Sequence, residues 1–352
     1  MGSTTATAPA VSGDEVVFRL ADPGHELRGV RLWQDVGLPG GDTWFTRTPD
    51  GWSLRVPRPP VDRLEYLFEL RRRDGTELVL DPANPRSVDG AFGAHSVLEF
   101  PGYRAPWWLD ADGVASRRET VDVDAPGLGG TVDCVVWSPA DAAAREPLPL
   151  LVVHDGPAYD RLGGLTGYTS AMIAAGRLPR HRVALLAPGR RDEWYSANPA
   201  YADALCETVL PALTGRYPSA APFVGVGASL GALALLHAQR RHPHVFGGLF
   251  LQSGSYFVPV HDHMEASFPW FGRVARWVAA AGRAGGVEPV RAVLTCGTVE
   301  ENLRNNQLMH RLLSRQHYAA RLVAVRDAHN YTGWRDCLDP HLTSLLRQVW
   351  RA

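Results

Sequence analysis

At 352 residues the chain exceeds the usual size of one domain, so two domains with a sizeable core in at least one are expected. Its 36 basic side chains, all arginine, nearly balance 37 acidic ones to a formal net charge of -1. With no block of like charge, this argues against nucleic acid or an anionic membrane surface as partner and favours a small-molecule substrate. Cys134, Cys206, Cys296 and Cys337 are widely spaced without a CxxC pair, which excludes a zinc ribbon or a disulfide framework.

Residues 1–13 are small and polar and read as a disordered tail. They hold no basic segment followed by an apolar one, and no run in the chain approaches the roughly 18 apolar residues needed to cross a bilayer. A soluble cytoplasmic protein is therefore expected.

Residues 14–104 offer short alternating segments, among them Val16 to Leu20, Gly29 to Trp33, Trp52 to Val56 and Leu64 to Leu70, separated by Pro, Gly and Asp turns. That pattern predicts a small antiparallel β-sandwich. Trp33, Trp44 and Trp52 are expected in its core. The stretch from Pro101 to Trp108 reads as a linker whose aromatics pack on the next domain.

Over 105–352 the rhythm changes to near-continuous apolar strands alternating with helical runs. Strands are expected at Cys134 to Trp137, Leu148 to Val153, Val183 to Ala187, Phe223 to Val226, Gly248 to Leu251, Val290 to Leu294 and Leu322 to Val325. Helices are expected near 166–175, 199–214, 230–240, 301–317 and 338–350. This is the pattern of a mostly parallel sheet covered on both faces.

One strand runs directly into Gly227-Ala228-Ser229-Leu230-Gly231, and a helical run starts at once. Strand, Gly-x-Ser-x-Gly turn and helix in that order form the nucleophile elbow of an α/β-hydrolase. The turn lifts the Ser229 hydroxyl above the sheet, and the two glycines leave room for the helix to cross. In this fold the acid and the histidine follow the serine in the chain. The turn after Leu294 offers Glu300 and, next to it, Glu301, and the loop after the last strand carries His329, with Asp327 nearby. An oxyanion hole needs the N–H of Leu230 and a second one from the loop His154-Asp155-Gly156-Pro157-Ala158; proline cannot donate, so Gly156 or Ala158 supplies it. His261-Asp262-His263 looks like a metal motif, but serine chemistry needs no metal, and no metal or cofactor is assigned.

At these residues the chain resembles the enterochelin esterase family, the ferric enterobactin esterases within the esterase D group, over most of its length. The resemblance rests on His154-Asp155-Gly156, on Gly227 to Gly231, and on His242-Pro243 with Phe246-Gly247 and Ser253-Gly254-Ser255. Gly297-Thr298-Val299-Glu300 and His329 followed by Trp334-Arg335 complete it. It implies Glu300 rather than Glu301 as the acid, an early-set immunoglobulin-like N-terminal sandwich, and hydrolysis of a catecholate siderophore ester. It also implies that the stretch around Arg190, Arg191, Glu193 and Trp194, with Tyr331 and Trp334, lines a pocket for an aromatic acyl group. In a chain without lysine, Arg190, Arg191 and Arg335 would supply its positive charge.

The expected protein is a serine esterase of the α/β-hydrolase fold in which Ser229, His329 and Glu300 act on a small-molecule ester, with a catecholate siderophore ester as the candidate that the resemblance implies. The alternatives are an acyltransferase or a feruloyl or aryl esterase on the same fold and, from another class, a noncatalytic glycan- or partner-binding protein suggested by the sandwich tryptophans. Oligomeric state is not specified.

Overall fold

The computed structural model describes residues 8–38, 42–283 and 288–350. The chain forms two compact units: one holds the residues up to Arg104 together with Gly297–Glu300 and Arg326–Asn330, and the other holds the rest.

Among the described residues of the first unit there are nine antiparallel strands, the longer of which follow the alternating pattern. They are β1 (Ala10–Ser12), β2 (Glu15–Ala21), β3 (Gly29–Trp33), β4 (Thr46–Thr48), β5 (Gly51–Pro57), β6 (Arg63–Arg71), β7 (Thr76–Val79), β8 (Ser87–Gly90) and β9 (Gly93–Glu99). One sheet runs β1-β2-β5-β4 and the other β3-β6-β9-β8, with β7 paired to β6. Along β2, Val16, Phe18 and Leu20 turn inward while Glu15 and Arg19 face water, as a period of two requires. They meet Val30, Leu32, Leu54, Val56, Tyr66 and Phe68 in one apolar core. Each of the larger apolar side chains buried there contributes about 1.5–3 kcal/mol. Two segments from much later in the chain join this core: Ala328 is part of it, and Val299 packs against it.

Two expectations are corrected. Residues 10–12, expected in a disordered tail, form β1 against β2, because the backbone edge of β2 is open to a partner and Val11 packs against the core; the tail residues 1–7 lie outside the described residues. Of the three sandwich tryptophans only Trp52 is core. Trp33 and Trp44 are 38% and 39% exposed, Trp33 stacked on His95 and Trp44 beneath the guanidinium groups of Arg31 and Arg71. Trp33 occupies an outward position of β3, so its ring finds polar neighbours instead of the interior.

Among its described residues the second unit is built on eight strands, β10 (Ser116–Ala125), β11 (Gly130–Pro139), β12 (Leu150–Val153), β13 (Arg182–Leu186), β14 (Phe223–Ala228), β15 (Phe246–Gln252), β16 (Arg291–Gly297) and β17 (Ala319–Val325). Their spatial order is β10-β11-β13-β12-β14-β15-β16-β17. The strands β10, β11 and β13 pair antiparallel, and β13, β12, β14, β15 and β16 run parallel. Both faces are covered. Leu150 and Val152 enter one apolar cluster, with the helix Leu230–Arg241, while Leu151 and Val153 enter the other, with Tyr159, Leu165 and Tyr168. This explains the unbroken apolar runs, since every side chain of a central strand is buried. Trp108 of the linker is buried against Tyr168, and Trp107 stays 45% exposed beside Arg177. No described helix is long and apolar enough to cross a membrane.

Candidate active site

β14 ends at Ala228, and the helix Leu230–Arg241 begins one residue after Ser229. Ser229 joins them with φ 56° and ψ -124°, a conformation costing a non-glycine residue about 1–3 kcal/mol. Its surroundings enforce it. The Ser229 N–H donates to the Gln252 carbonyl at 2.8 Å, and its own carbonyl accepts from the Ser255 N–H at 3.2 Å. The turn closes only because Gly227 has no side chain: a Cβ there would lie 2.5 Å from the carbonyl of Gly231. The Ser229 hydroxyl is 3.1 Å from that of Ser255. In the sequence Ser255 is part of Ser253-Gly254-Ser255. No pattern marked it as a neighbour of Ser229, because the contact joins the ends of two adjacent parallel strands.

Beside the elbow, β12 delivers His154 and Asp155 to the start of the helix Gly156–Gly163. Asp155 takes a left-handed conformation, φ 51°, and Arg191 clamps its carboxylate with two bonds of 2.8 Å. Gly156 lies so close to β13 that a Cβ would come within 2.4 Å of the Leu185 Cα. Gly156 and Ala158 belong to the first helical turn, and Leu230 opens its own helix; N–H groups at such positions have no carbonyl partner within the helix. The fully buried His154 ring packs on Tyr195 and Tyr201. Burial, aided by the Arg191 charge, pushes its pKa down to about 3, so it is neutral and belongs to the packing beneath the turn.

In the other unit, Glu300 and His329 meet. The Glu300 side chain is 1% exposed; its Oε1 accepts from the Gly297 N–H at 2.6 Å and its Oε2 from His329 Nδ1 at 2.7 Å. Glu301 is exposed. The two loops approach so closely that a Cβ on Gly297 would lie 2.2 Å from the Asp327 carbonyl oxygen. Asp327 instead accepts from the Ala328 N–H at 2.8 Å and from Asn330 Nδ2 at 3.1 Å. Burial raises its pKa, against the pull of the Arg63 charge.

The residues expected to bind substrate divide. Arg190 donates to the Leu128 carbonyl and pairs with Glu193, Arg191 holds Asp155, and Arg335 pairs with Asp336. Two of the aromatic side chains are buried. Trp194 is 5% exposed and stacked on Tyr201 in the core, because Gly189 lets its ring lie against the backbone. Trp334 is 8% exposed and donates from its indole N–H to Ser253 Oγ at 2.9 Å, which makes it a brace for the strand end next to the elbow. Tyr331 remains half-buried, edge-on to Tyr159 and Trp334. Among the described residues, Asp203, Glu207 and His242 bring ligand-type atoms within 4.8 Å of one another. Both Asp203 oxygens already accept from Arg241, which offsets the negative charge a cation would need.

The Esterase family, described as "Putative esterase", matches residues 126–344. No curated protein matches the chain. In structure the chain is similar to the enterobactin esterase of Shigella flexneri, solved in the presence of 2,3-Di-hydroxy-N-benzoyl-glycine, with a TM-score of 0.75 and 20% identity over 99% of each chain. It is similar to the ferric enterobactin esterase of Salmonella typhimurium, with a TM-score of 0.74 and 22% identity over 95% of this chain and 93% of that one. A ferulic acid esterase is similar over 66% of this chain and 99% of its own, at 15% identity and a TM-score of 0.54. The shared feature is the fold, an α/β-hydrolase sheet with, in the full-length matches, an N-terminal β-sandwich.

Proposed function

The chain belongs to the Esterase family, and from that premise we propose that it hydrolyses a carboxylic ester through an acyl-enzyme on Ser229. The observation that carries this proposal is the strained elbow: a left-handed serine between a parallel strand and a helix, packed so tightly that glycine is required beside it. Ser229 attacks the ester carbonyl while His329, through Nε2, takes the hydroxyl proton. Glu300 holds the proton on Nδ1 and stabilises the imidazolium that forms. The N–H of Leu230, with that of Gly156 or Ala158, receives the oxyanion. His329 then protonates the departing alkoxide, and water attacks the acyl-enzyme by the same steps in reverse. No metal or cofactor takes part in this scheme.

For the substrate we favour an ester within a catecholate siderophore. Its support is the extent of the likeness: the enterobactin esterases share the sandwich and the hydrolase sheet over nearly the whole of both chains, whereas the ferulic acid esterase is matched over 66% of this one. Hydrolysis of feruloyl or simple aryl esters is the second choice, and acyl transfer would use the same acyl-enzyme.

Replacing Ser229 by Ala should reduce turnover of a p-nitrophenyl ester to background and abolish labelling by a fluorophosphonate probe; undiminished turnover would remove the assignment. Incubation with linear and cyclic catecholate siderophores, with and without iron, beside aryl esters and feruloyl sugars, tests the substrate. The expected ranking places the siderophore esters first in kcat/KM.

A further inference from the structure

Arg63 opens β6 and is 2% exposed, and its guanidinium makes polar contacts with Glu65 and with two residues of the His329 loop. Its Nη2 donates to Asn330 Oδ1 at 3.0 Å and to Glu65 Oε1 at 2.9 Å, and its Nε lies 3.5 Å from Asp327 Oδ2. Asp327 in turn receives the Ala328 N–H and the Asn330 side-chain amide. One guanidinium thus ties together residues on both sides of His329. A neighbouring rung repeats the connection: the Asp62 N–H donates to the Arg326 carbonyl at 2.8 Å, and Arg326 Nε to Asp62 Oδ1 at 2.8 Å.

A buried charge network is a costly way to hold two segments together, because desolvation of each ion works against the attraction; apolar side chains of similar volume do the same at no such cost. Apolar packing is already present, since Ala328 lies in the sandwich core. What the guanidinium adds is direction. Its planar fork fixes where Asp327 and Asn330 sit, and hence the path of the backbone between them. Burial opposes the charge of Glu65, but bonds from His95 and Arg63 hold its pKa low, so the far side of the fork is anchored to an ionised carboxylate. The backbone so fixed carries the imidazole that Glu300 receives.

We propose that Arg63 is a positioning residue for ester hydrolysis, orienting the His329 imidazole through Asp327 and Asn330. This rests on His329 being the general base. It gives the N-terminal sandwich a part in the chemistry through a residue that touches no substrate.

The full-length chain is compared with its Arg63→Lys, Arg63→Ala and Asn330→Ala variants, and with Arg55→Met as a control whose arginine pairs with Glu15 on the surface. On an aryl ester, kcat of Arg63→Ala is expected to fall about 10- to 100-fold, as a displaced catalytic group does, with KM within twofold. Lysine, lacking the fork, should restore only part of that loss. Millimolar guanidinium ion should raise Arg63→Ala turnover several-fold and leave Arg55→Met unchanged. Because Arg63→Ala strands two buried carboxylates and can unfold, Asn330→Ala is decisive: it keeps every charge and should lower kcat about 3- to 10-fold at an unchanged melting temperature. Wild-type kcat in Arg63→Lys and Asn330→Ala, or losses that match the unfolded fraction by circular dichroism, overturns the proposal. If Ser229→Ala or His329→Ala keeps full turnover, the triad itself fails, whatever Arg63 does.

Discussion

At the scale of single residues, the clearest case is the pair Glu300 and Glu301. Both follow the same strand and both precede the same helix, so no pattern in the chain separates them; only the resemblance to a known family favoured the first. The fold separates them by burial and by bonding. Glu300 turns back so that one oxygen meets the Gly297 N–H and the other His329, while Glu301 faces solvent. Glu300→Gln should therefore lower kcat on an aryl ester on the order of 10³- to 10⁴-fold, as loss of the orienting carboxylate does in other triads. Glu301→Gln should leave kcat within twofold. Steady-state kinetics of the two variants decides it, and equal effects would reassign the acid. Trp194 and Trp334 teach the complementary point. An aromatic side chain near a site looks the same in sequence whether it is exposed or enclosed by its neighbours, and here both are buried.

At the scale of elements, β12 to β16 were legible as short, mostly apolar runs with helical runs between them, whereas β10 (Ser116–Ala125) alternates polar and apolar residues and no apolar run announced it. The helical run at 199–214 has more texture than expected. It is an α-turn at Pro199–Asp203, a wider π segment at Ala204–Val209 and an α-helix at Leu210–Arg216, where Pro211 lacks the N–H that a continuous helix needs. Strand ends also set the response to acid. His154 follows β12 and His181 precedes β13; both are fully buried, and burial pushes their pKa values down to about 3 and about 4. Above about pH 6.5 both are neutral folded or unfolded and cost nothing. As the pH falls below that, the unfolded chain takes up protons that the folded one refuses, so stability drops by about 1.4 kcal/mol per pH unit for each histidine until the folded pKa is reached. The melting temperature should accordingly fall steadily between pH 6.5 and pH 4. His181→Phe, which can still pack on Trp350, should flatten that decline; an unchanged slope would show that carboxylates alone govern it.

At the scale of the whole molecule, the change of rhythm near residue 104 divides the chain into a sandwich followed by a hydrolase. The compact units do not divide so simply, because Gly297–Glu300 and Arg326–Asn330 belong with the first. Val299 and Ala328 pack with its apolar core, and Arg63 binds Asn330, 267 positions further on. A chain starting at residue 105 should retain the far-ultraviolet signature of its sheet and helices but lose at least about 100-fold in ester hydrolysis, since the loops bearing Glu300 and His329 lose the partners that hold them. Full activity in that truncation would confine the chemistry to the second unit.

The chain by itself determined the Gly-x-Ser-x-Gly turn between strand and helix, and the two architectures. Those features are local: a strained turn demands glycine at fixed spacing, and sheets and helices impose their own periods on apolar residues. Only the tertiary structure decided which glutamate meets His329, that Trp194 is core, that Ser255 adjoins Ser229, and that Arg63 reaches the histidine loop. Each of these depends on contacts between distant segments, whose proximity is fixed by burial and charge pairing in the folded molecule and leaves no periodic trace along the chain.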